Sequence, residues 1–257
     1  MNFRKMHGLG NDFVILDFRK KAEQLSPGQI KHICDRNFGV GCDLLTVLEP
    51  SETADIFARF YNADGSQSDA CGNATRCVAD IVMRENESDA CTIETGRGML
   101  PCIRGESGMV TVDMGAPLSV EDLDLSHGMV QSPVAVNMGN PHCVFFVDNL
   151  VDIPVEEIGA SVENNPMFPN KTNVEFVEVI NSAKMRQKTW ERGVGVTLAC
   201  GSGACAVAVA GAHTGRTKAK VEIELDGGAL FIEQRESDGH LMMTGSIAYV
   251  YEGTLLN

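Results

Sequence analysis

The sequence lacks several features that would assign it to a class of protein at once. It carries 21 Lys and Arg against 35 Asp and Glu, a net charge of −14, so it has no basic excess for binding nucleic acid or an anionic membrane. Its start, MNFRKMHGLGNDF, has no continuous apolar run, so we expect no signal peptide and a cytoplasmic location. No stretch approaches the ~18 apolar residues of a membrane span. The composition is otherwise ordinary for a soluble enzyme, with 44% hydrophobic and 22% charged residues.

Disulfide and redox patterns are also missing, although cysteine is abundant. Nine cysteines in a chain with no export signal do not suggest a disulfide framework. The C-x-x-C spacing of a dithiol redox pair is absent. Most of the nine are therefore expected to be small buried apolar side chains. Only Cys71 and Cys200 are distinguished by their surroundings.

The two halves of the chain share landmarks at one fixed spacing of 129 residues. The landmark pairs are Asn11 and Asn140, Tyr61 and Trp190, and Cys71 and Cys200. Because 129 is about half the chain length, the spacing predicts two copies of one domain. We place the halves at 1–116 and 117–257 and leave open whether the final residues return to the first half.

Each half has the same coarse pattern of elements. Short β-like runs such as FVILD, CTIET, CVFFVD and KVEIEL alternate with turns rich in Gly, Asn, Asp and Ser. One apolar helix follows the distinguished cysteine of each half, at roughly 73–85 and 202–214, and the second is apolar almost all round. We therefore predict the α+β class, with a mostly antiparallel sheet and one buried helix in each half.

Cys71 and Cys200 each precede a glycine that opens a predicted helix. The first N–H groups of a helix form a positive end, so we expect the pKa of each thiol to fall below its usual ~8.5. The same groups can bind a carboxylate where Gly72 and the Gly201-Ser202-Gly203 segment leave room. A thiol beside a carboxylate cradle in each half suits stereoinversion of an amino acid. One thiolate would remove the α-proton and the opposed thiol would deliver another.

Three other interpretations of these cysteines stay open at this point. Cys71 with Cys77, and Cys200 with Cys205, could bind zinc, although helical offsets of six and five turn the second thiol more than ~100° from the first. A redox dithiol is a second interpretation. The third is that both cysteines are buried and inert, which is how we interpret Cys77 and Cys205.

Eight segments, in order along the whole chain, resemble the diaminopimelate epimerase family. They are MHGLGNDF (6–13), RNFGVGCD (36–43), YNADGS (61–66), ACGNATRC (70–77), MGNPHCVFFVD (138–148), KTNVEFV (171–177), WERGVGVTLACGSGACA (190–206) and MTGSIAYVYEG (243–253). The resemblance implies conversion of LL-2,6-diaminopimelate to the meso form, in lysine and peptidoglycan precursor synthesis, without cofactor or metal. It also implies two pseudo-symmetric domains, each a sheet curled round a central helix, with the active site in the cleft between them. Members of the family are commonly homodimers.

The resemblance also implies roles for particular residues. Cys71 and Cys200 match the acid–base pair, and His142 and Glu191 match residues that could help set the protonation of the thiols. The residues that match substrate-binding positions are Asn11, Asn62, Gly72, Asn73, Asn140, Asn173, Glu191, Arg192, Gly201 and Ser202. Considered without the family, asparagines beside glycine commonly serve turns, and Glu191 with Arg192 could be a solvated surface pair.

Some positions depart from the family pattern. Leu44 stands where glutamine is usual, so one expected polar contact near the substrate is missing. The other departures are Ala74-Thr75, Val196 and Ser246-Ile247. A proline or hydroxyproline epimerase built on the same two-cysteine plan is the alternative activity, and a non-catalytic amino-acid-binding protein is the alternative of another class. The polar residues around the expected distal end of the substrate favour diaminopimelate over proline.

Overall fold

The computed structural model describes residues 1–21 and 23–256 and divides into two compact units. Unit 1 comprises Met1–Val112 with Gly245–Asn257, and unit 2 comprises Asp113–Thr244. Each unit combines a sheet with helices, so the predicted α+β class is confirmed. The boundary between repeats at 116/117 stays a prediction, whereas the compact units divide after Val112.

Unit 1 is a mixed sheet with two helices. With elements numbered along the chain, its strands are β1 (Asn2–Gly8), β2 (Asn11–Asp17), β3 (Leu44–Glu49), β4 (Ile56–Asn62), β5 (Gln67–Ser68), β6 (Ala90–Thr95), β7 (Gly98–Arg104), β8 (Val110–Asp113) and β20 (Ala248–Thr254), and its helices are α1 (Pro27–Cys34), α2 (Gly72–Glu85) and a 3₁₀ turn at Glu106–Gly108. The sheet runs β20-β1-β2-β3-β4-β6-β7-β8, with β5 on β4. Among these described pairs, β2–β3 and β4–β6 are parallel.

Helix α2 is the centre of unit 1. It packs against β1 and β2 on one side of the sheet order and against β6 and β7 on the other, so the sheet curls round it. Every residue of α2 from Asn73 to Met83 is buried. Helix α1 belongs to a second apolar cluster, in which Ile30 and Ile33 pack with Val14 and Leu45.

Unit 2 repeats this plan. Its strands are β9 (Ser119–Asp122), β10 (Ser126–His127), β11 (Val130–Gln131), β12 (Val134–Asn137), β13 (Pro141–Val147), β14 (Asn173–Asn181), β15 (Lys184–Glu191), β16 (Gly195–Thr197), β17 (Lys220–Leu225), β18 (Gly228–Gln234) and β19 (Leu241–Gly245), and its helices are α3 (Val155–Glu163), α4 (Gly201–His213) and a 3₁₀ turn at Leu150–Asp152. The order β9-β12-β13-β14-β15-β17-β18 contains the parallel pairs β13–β14 and β15–β17. Helix α4 packs against β12, β13, β14, β17 and β18.

The repeat is visible in the strand registers, at the spacing that the sequence predicted. Equivalent partners in units 1 and 2 are Phe13–Leu44 and His142–Asn173, Leu45–Tyr61 and Val174–Trp190, and Phe60–Ser68 and Thr189–Thr197. Helices α2 and α4 begin at Gly72 and Gly201, one residue before the predicted starts. The predicted pseudo-symmetry is therefore confirmed.

Helices α1 and α3 are additions to the sequence prediction, which gave one helix in each half. Each lies in the connection between parallel strands, β2 to β3 and β13 to β14, where a crossover is required. For α1 a local signal was present. Ser26 caps the helix, forms a capping box with Gln29, and is followed by Pro27 at the first helical position.

Candidate active site

Unit 1 brings three predicted site residues together at the start of α2. Cys71 is the N-cap residue, in an extended conformation, and Asn73 follows in the first turn. Asn11 begins β2, directly after the tight turn at Leu9 and Gly10. Its Oδ1 accepts a hydrogen bond from Asn73 Nδ2 at 3.2 Å and lies 3.8 Å from Cys71 Sγ. We call Asn11, Cys71, Gly72 and Asn73 the first half-site.

The side-chain amide of Asn11 is oriented by an aspartate that the sequence analysis missed. Asn11 Nδ2 donates to Asp43 Oδ2 at 2.9 Å, and a carboxylate can only accept, so Oδ1 must face the thiol. Arg36 holds Asp43 at 2.8 Å and also binds Asp12. Burial tends to raise the pKa of Asp12, but hydrogen bonds from Arg36 and Lys5 outweigh burial and lower it to about 2. Asp43 lies in the RNFGVGCD segment, which was the available signal.

Asn62 ends β4, and its side chain serves a turn. Its Nδ2 donates to Ser66 Oγ at 2.9 Å, and its backbone N–H donates to the Ser66 carbonyl. Leu44, the departure from the family pattern, pairs with Asn62 across β3 and β4. The turn role considered in the sequence analysis is therefore present, and a substrate contact by Asn62 stays a prediction.

Unit 2 builds an equivalent group at the start of α4. Cys200 is the N-cap residue and is 7% exposed. Ser202 Oγ lies 3.6 Å from its sulfur and accepts a hydrogen bond from Asn140 Nδ2 at 3.1 Å. Asn140 and Ser202 are the 129-residue equivalents of Asn11 and Asn73, so both units tie an asparagine to the first turn of the central helix. We call Asn140, Cys200, Gly201 and Ser202 the second half-site.

The expected lowering of the thiol pKa is wrong for Cys200. Burial is the largest influence and raises the pKa of this thiol well above its usual range, and the carboxylates of Glu191 and Glu175 raise it further. The Gly203 N–H and the Ser202 hydroxyl act in the opposite direction but are weaker. The helix N-terminus is present as predicted, but the surroundings that only folding creates outweigh it.

His142, predicted to help set the thiol protonation, is completely enclosed. It is 1% exposed, and its Nδ1 lies 2.7 Å from Oε1 of Glu175, a carboxylate that is also buried. Sequence reasoning missed Glu175. The signal was available, because Glu175 alternates with Asn173 in the strand segment NVEFV and must point to the same face.

The remaining predicted residues of unit 2 form a group around the end of β15. Asn173 Nδ2 donates to the Pro141 carbonyl at 2.9 Å, and its Oδ1 accepts the Arg192 backbone N–H at 2.9 Å. Glu191 Oε1 accepts the Thr197 hydroxyl at 2.5 Å. The Arg192 side chain is exposed. It lines a cavity of about 600 Å³ whose other residues include Asn140, Pro141, Asn170 and Lys171. Asn140 and Arg192 thus face the same cavity.

The zinc interpretation requires Cys77 and Cys205 as ligands beside Cys71 and Cys200. Cys77 and Cys205 are fully buried in α2 and α4, and burial raises the pKa of Cys77. Across residues 1–21 and 23–256, no group of three or more His, Cys, Asp and Glu side chains is arranged to hold a metal ion.

Within the same residues, no helix has the length and apolar character needed to cross a membrane.

Comparison with known proteins identifies the family. The family model described as diaminopimelate epimerase matches residues 3–120 and 134–250. This chain belongs to the diaminopimelate epimerase family. It is therefore an isomerase, and the resemblance drawn from the eight segments is confirmed. A relative from Acidiphilium cryptum, named diaminopimelate epimerase, is 46% identical over 98% of this chain and 95% of its own length. One of the same name from Rhodospirillum centenum is 45% identical over 98% and 91%.

Solved structures share the fold at lower identity. A phenazine biosynthesis protein of the PhzF family from Bacillus anthracis has a TM-score of 0.76 and 20% identity, covering 100% of this chain and 99% of its own. A hydroxyproline epimerase from Agrobacterium vitis has a TM-score of 0.74 and 15% identity, covering 98% and 91%. These structures share the fold of this chain. At this level of identity they indicate nothing about its activity.

Proposed function

We propose that this protein converts LL-2,6-diaminopimelate to meso-diaminopimelate, with Cys71 and Cys200 as the acid–base pair and no cofactor. The observation that carries the proposal is the repeated half-site: in each unit a cysteine is the N-cap residue of the central helix, beside an asparagine that is hydrogen-bonded to the first turn of that helix. The substrate is inferred from the relatives named diaminopimelate epimerase, which align over nearly the whole chain. The product serves lysine and peptidoglycan precursor synthesis.

In the proposed reaction the two thiols act on opposite faces of one α-carbon. The thiolate of one cysteine removes the α-proton, and the thiol of the other donates a proton to the opposite face. Negative charge that develops at the α-carbon spreads into the carboxylate. The N–H groups at the starts of α2 and α4, starting from Gly72 and Gly201, stabilise that charge. Side-chain donors near these helix starts, such as Asn73 and Ser202, add to them.

The distal amino-acid group of the substrate needs polar partners of its own. We assign that role to Asn62, Asn173, Glu191 and Arg192. Arg192 is the best placed, because it lines the 600 Å³ cavity and a guanidinium can bind a carboxylate in two hydrogen bonds. Asn173 supports it by accepting the Arg192 N–H. A proline ring offers no distal carboxylate for these groups to bind, so they favour diaminopimelate over the alternative substrate.

The experiment is incubation of the purified protein with LL-diaminopimelate in D₂O, followed by separation of stereoisomers and mass spectrometry. Wild-type protein should form the meso isomer with one solvent deuterium at the α-carbon. Cys71→Ala and Cys200→Ala should each lose roughly 10²–10⁴-fold or more in rate, since one face of the α-carbon then lacks its acid or base. Cys91→Ala, at a buried cysteine of β6 outside both half-sites, is the matched control.

Three outcomes would contradict the proposal. Near-normal epimerisation by either alanine variant would remove the two-base mechanism. Faster turnover of L-proline or trans-4-hydroxy-L-proline would favour the alternative substrate. Binding without deuterium uptake would indicate a non-catalytic binding protein.

The proposal extends to assembly and location. We propose a homodimer in the cytoplasm, as the family resemblance implies. Exposed apolar side chains on β20 support a contact between copies, since Val250 and Tyr251 are 54% and 47% exposed. Sedimentation velocity at micromolar concentration tests the dimer, and a single monomeric species would exclude it.

A further inference from the structure

Glu175 is a buried acid with no assigned part in the proposed reaction. It lies on β14 with 0% of its surface exposed, although glutamate is almost never fully buried unless paired. Its Oε1 lies 2.7 Å from Nδ1 of His142. Its Oε2 has no hydrogen-bond partner among the residues that the structure describes. A carboxylate held in this way is costly to bury, so its position calls for a physical explanation.

The carboxylate lies against the first turn of α4, beside the Cys200 side chain. A Cβ atom placed on Gly203 would lie 2.7 Å from Glu175 Oε1 and 3.3 Å from Cys200 Cβ. The same point is 3.1 Å from Nε2 of Gln187. Glu175 and Cys200 are therefore near neighbours, and they approach across a position that only glycine leaves open.

The pair of His142 and Glu175 exists only in unit 2. The equivalent positions 129 residues earlier are Phe13 and Thr46, which lie in the same parallel register of β2 and β3. Neither side chain ionises at neutral pH. The two half-sites therefore share a backbone plan but differ in what surrounds their thiols.

The charge of Glu175 acts directly on the Cys200 thiol. After burial, the carboxylates of Glu191 on β15 and Glu175 on β14 are the influences that raise its pKa, with His142 on β13 behind Glu175. An ionised Glu175 also requires that His142 carry its proton on Nδ1, since a carboxylate can only accept. Nε2 of His142 is then left as the acceptor, and no described residue donates to it.

We propose that Glu175 is a positioning residue for the epimerisation, which holds His142 in the Nδ1–H tautomer and places a carboxylate beside the Cys200 thiol. The inference rests on the proposed function, in which Cys200 is one of the two acid–base groups. Cys200 is then the proton donor of the resting site, because the carboxylate of Glu175 lies beside it and the equivalent position in unit 1 is Thr46.

The test is pH-dependent alkylation of the full-length protein by iodoacetamide, with the Cys71 and Cys200 peptides quantified separately by mass spectrometry. In Glu175→Gln the alkylation of Cys200 should move to lower pH, because a neighbouring negative charge is removed, while that of Cys71 stays unchanged. The same variant should lose kcat by about tenfold or more with little change in KM. Glu163→Gln is the matched control, a 4% exposed glutamate of unit 2 bound to Trp190 and Lys171, and it should leave the Cys200 profile unchanged.

Unchanged Cys200 alkylation and unchanged kcat in Glu175→Gln would overturn the proposal, and so would equal shifts at both cysteines. If the variant does not fold, ¹⁵N NMR of histidine in the wild-type protein tests the same claim, since an Nε2–H tautomer for His142 would contradict it. Failure of the proposed function is a separate result. It would appear as absent turnover of LL-diaminopimelate by wild-type protein, whereas the alkylation and NMR measurements need no turnover.

Discussion

Replacing Gly203 by alanine tests the packing that surrounds Cys200. The added Cβ would lie 2.7 Å from Glu175 Oε1 and 3.1 Å from Gln187 Nε2. Neither side chain can move away freely from the added Cβ. Glu175 is hydrogen-bonded to His142, and Gln187 Nε2 donates a hydrogen bond to Thr189 Oγ1 at 2.8 Å. Overpacking of this kind costs ~1–3 kcal/mol, and a displaced buried hydrogen bond costs ~1–3 kcal/mol. The better helix propensity of alanine returns only ~1 kcal/mol.

We therefore expect Gly203→Ala to lower the free energy of unfolding by roughly 1–5 kcal/mol, with Tm falling ~2–4 °C for each kcal/mol. Displacement of Glu175 beside Cys200 should also lower kcat by about tenfold or more, since small misplacements next to a reacting group are costly. Gly28→Ala in α1 is the control. The nearest atom to its added Cβ is 4.0 Å away, so alanine there should be neutral or stabilising by up to ~1 kcal/mol. Scanning calorimetry and initial rates measure both effects. A Gly203→Ala protein as stable and active as wild type would refute the described packing.

Three further predictions concern the substrate and the chemistry. Arg192→Leu should raise KM for diaminopimelate with a smaller effect on kcat, because the proposed contact of the guanidinium with the distal carboxylate would act in both ground and transition states. A KM within twofold of wild type, in initial-rate assays, would argue against that contact. Leu44→Gln should lower KM, since Leu44 occupies the position in unit 1 that Asn173 occupies in unit 2. An unchanged or higher KM would mean that Leu44 does not cost the protein a polar contact with the substrate. Dialysis against a chelator should leave the rate unchanged, and concentrated protein should show no aldimine absorbance; a rate restored by zinc would contradict the cofactor-free proposal.

The sequence alone determined those parts of the protein that depend on local patterning. Cysteine before glycine at the head of an apolar segment predicted both central helices to within one residue, and the 129-residue spacing predicted the repeat. These predictions succeeded because helix starts and apolar periodicity depend on residues that are close together in the sequence. The crossover helix α1 was missed although its capping signal was present, because an eight-residue element leaves little periodicity to detect.

Only the tertiary structure decided what surrounds each thiol. Parallel pairing of β13 with β14 brings His142 and Glu175 together from positions 33 residues apart, and packing of α4 against those strands encloses Cys200. The helix N-terminus lowers a thiol pKa in isolation, yet burial and two carboxylates reverse the outcome at Cys200. Desolvation and Coulomb effects depend on distances between groups remote in sequence, and the chain sets those distances only when it folds.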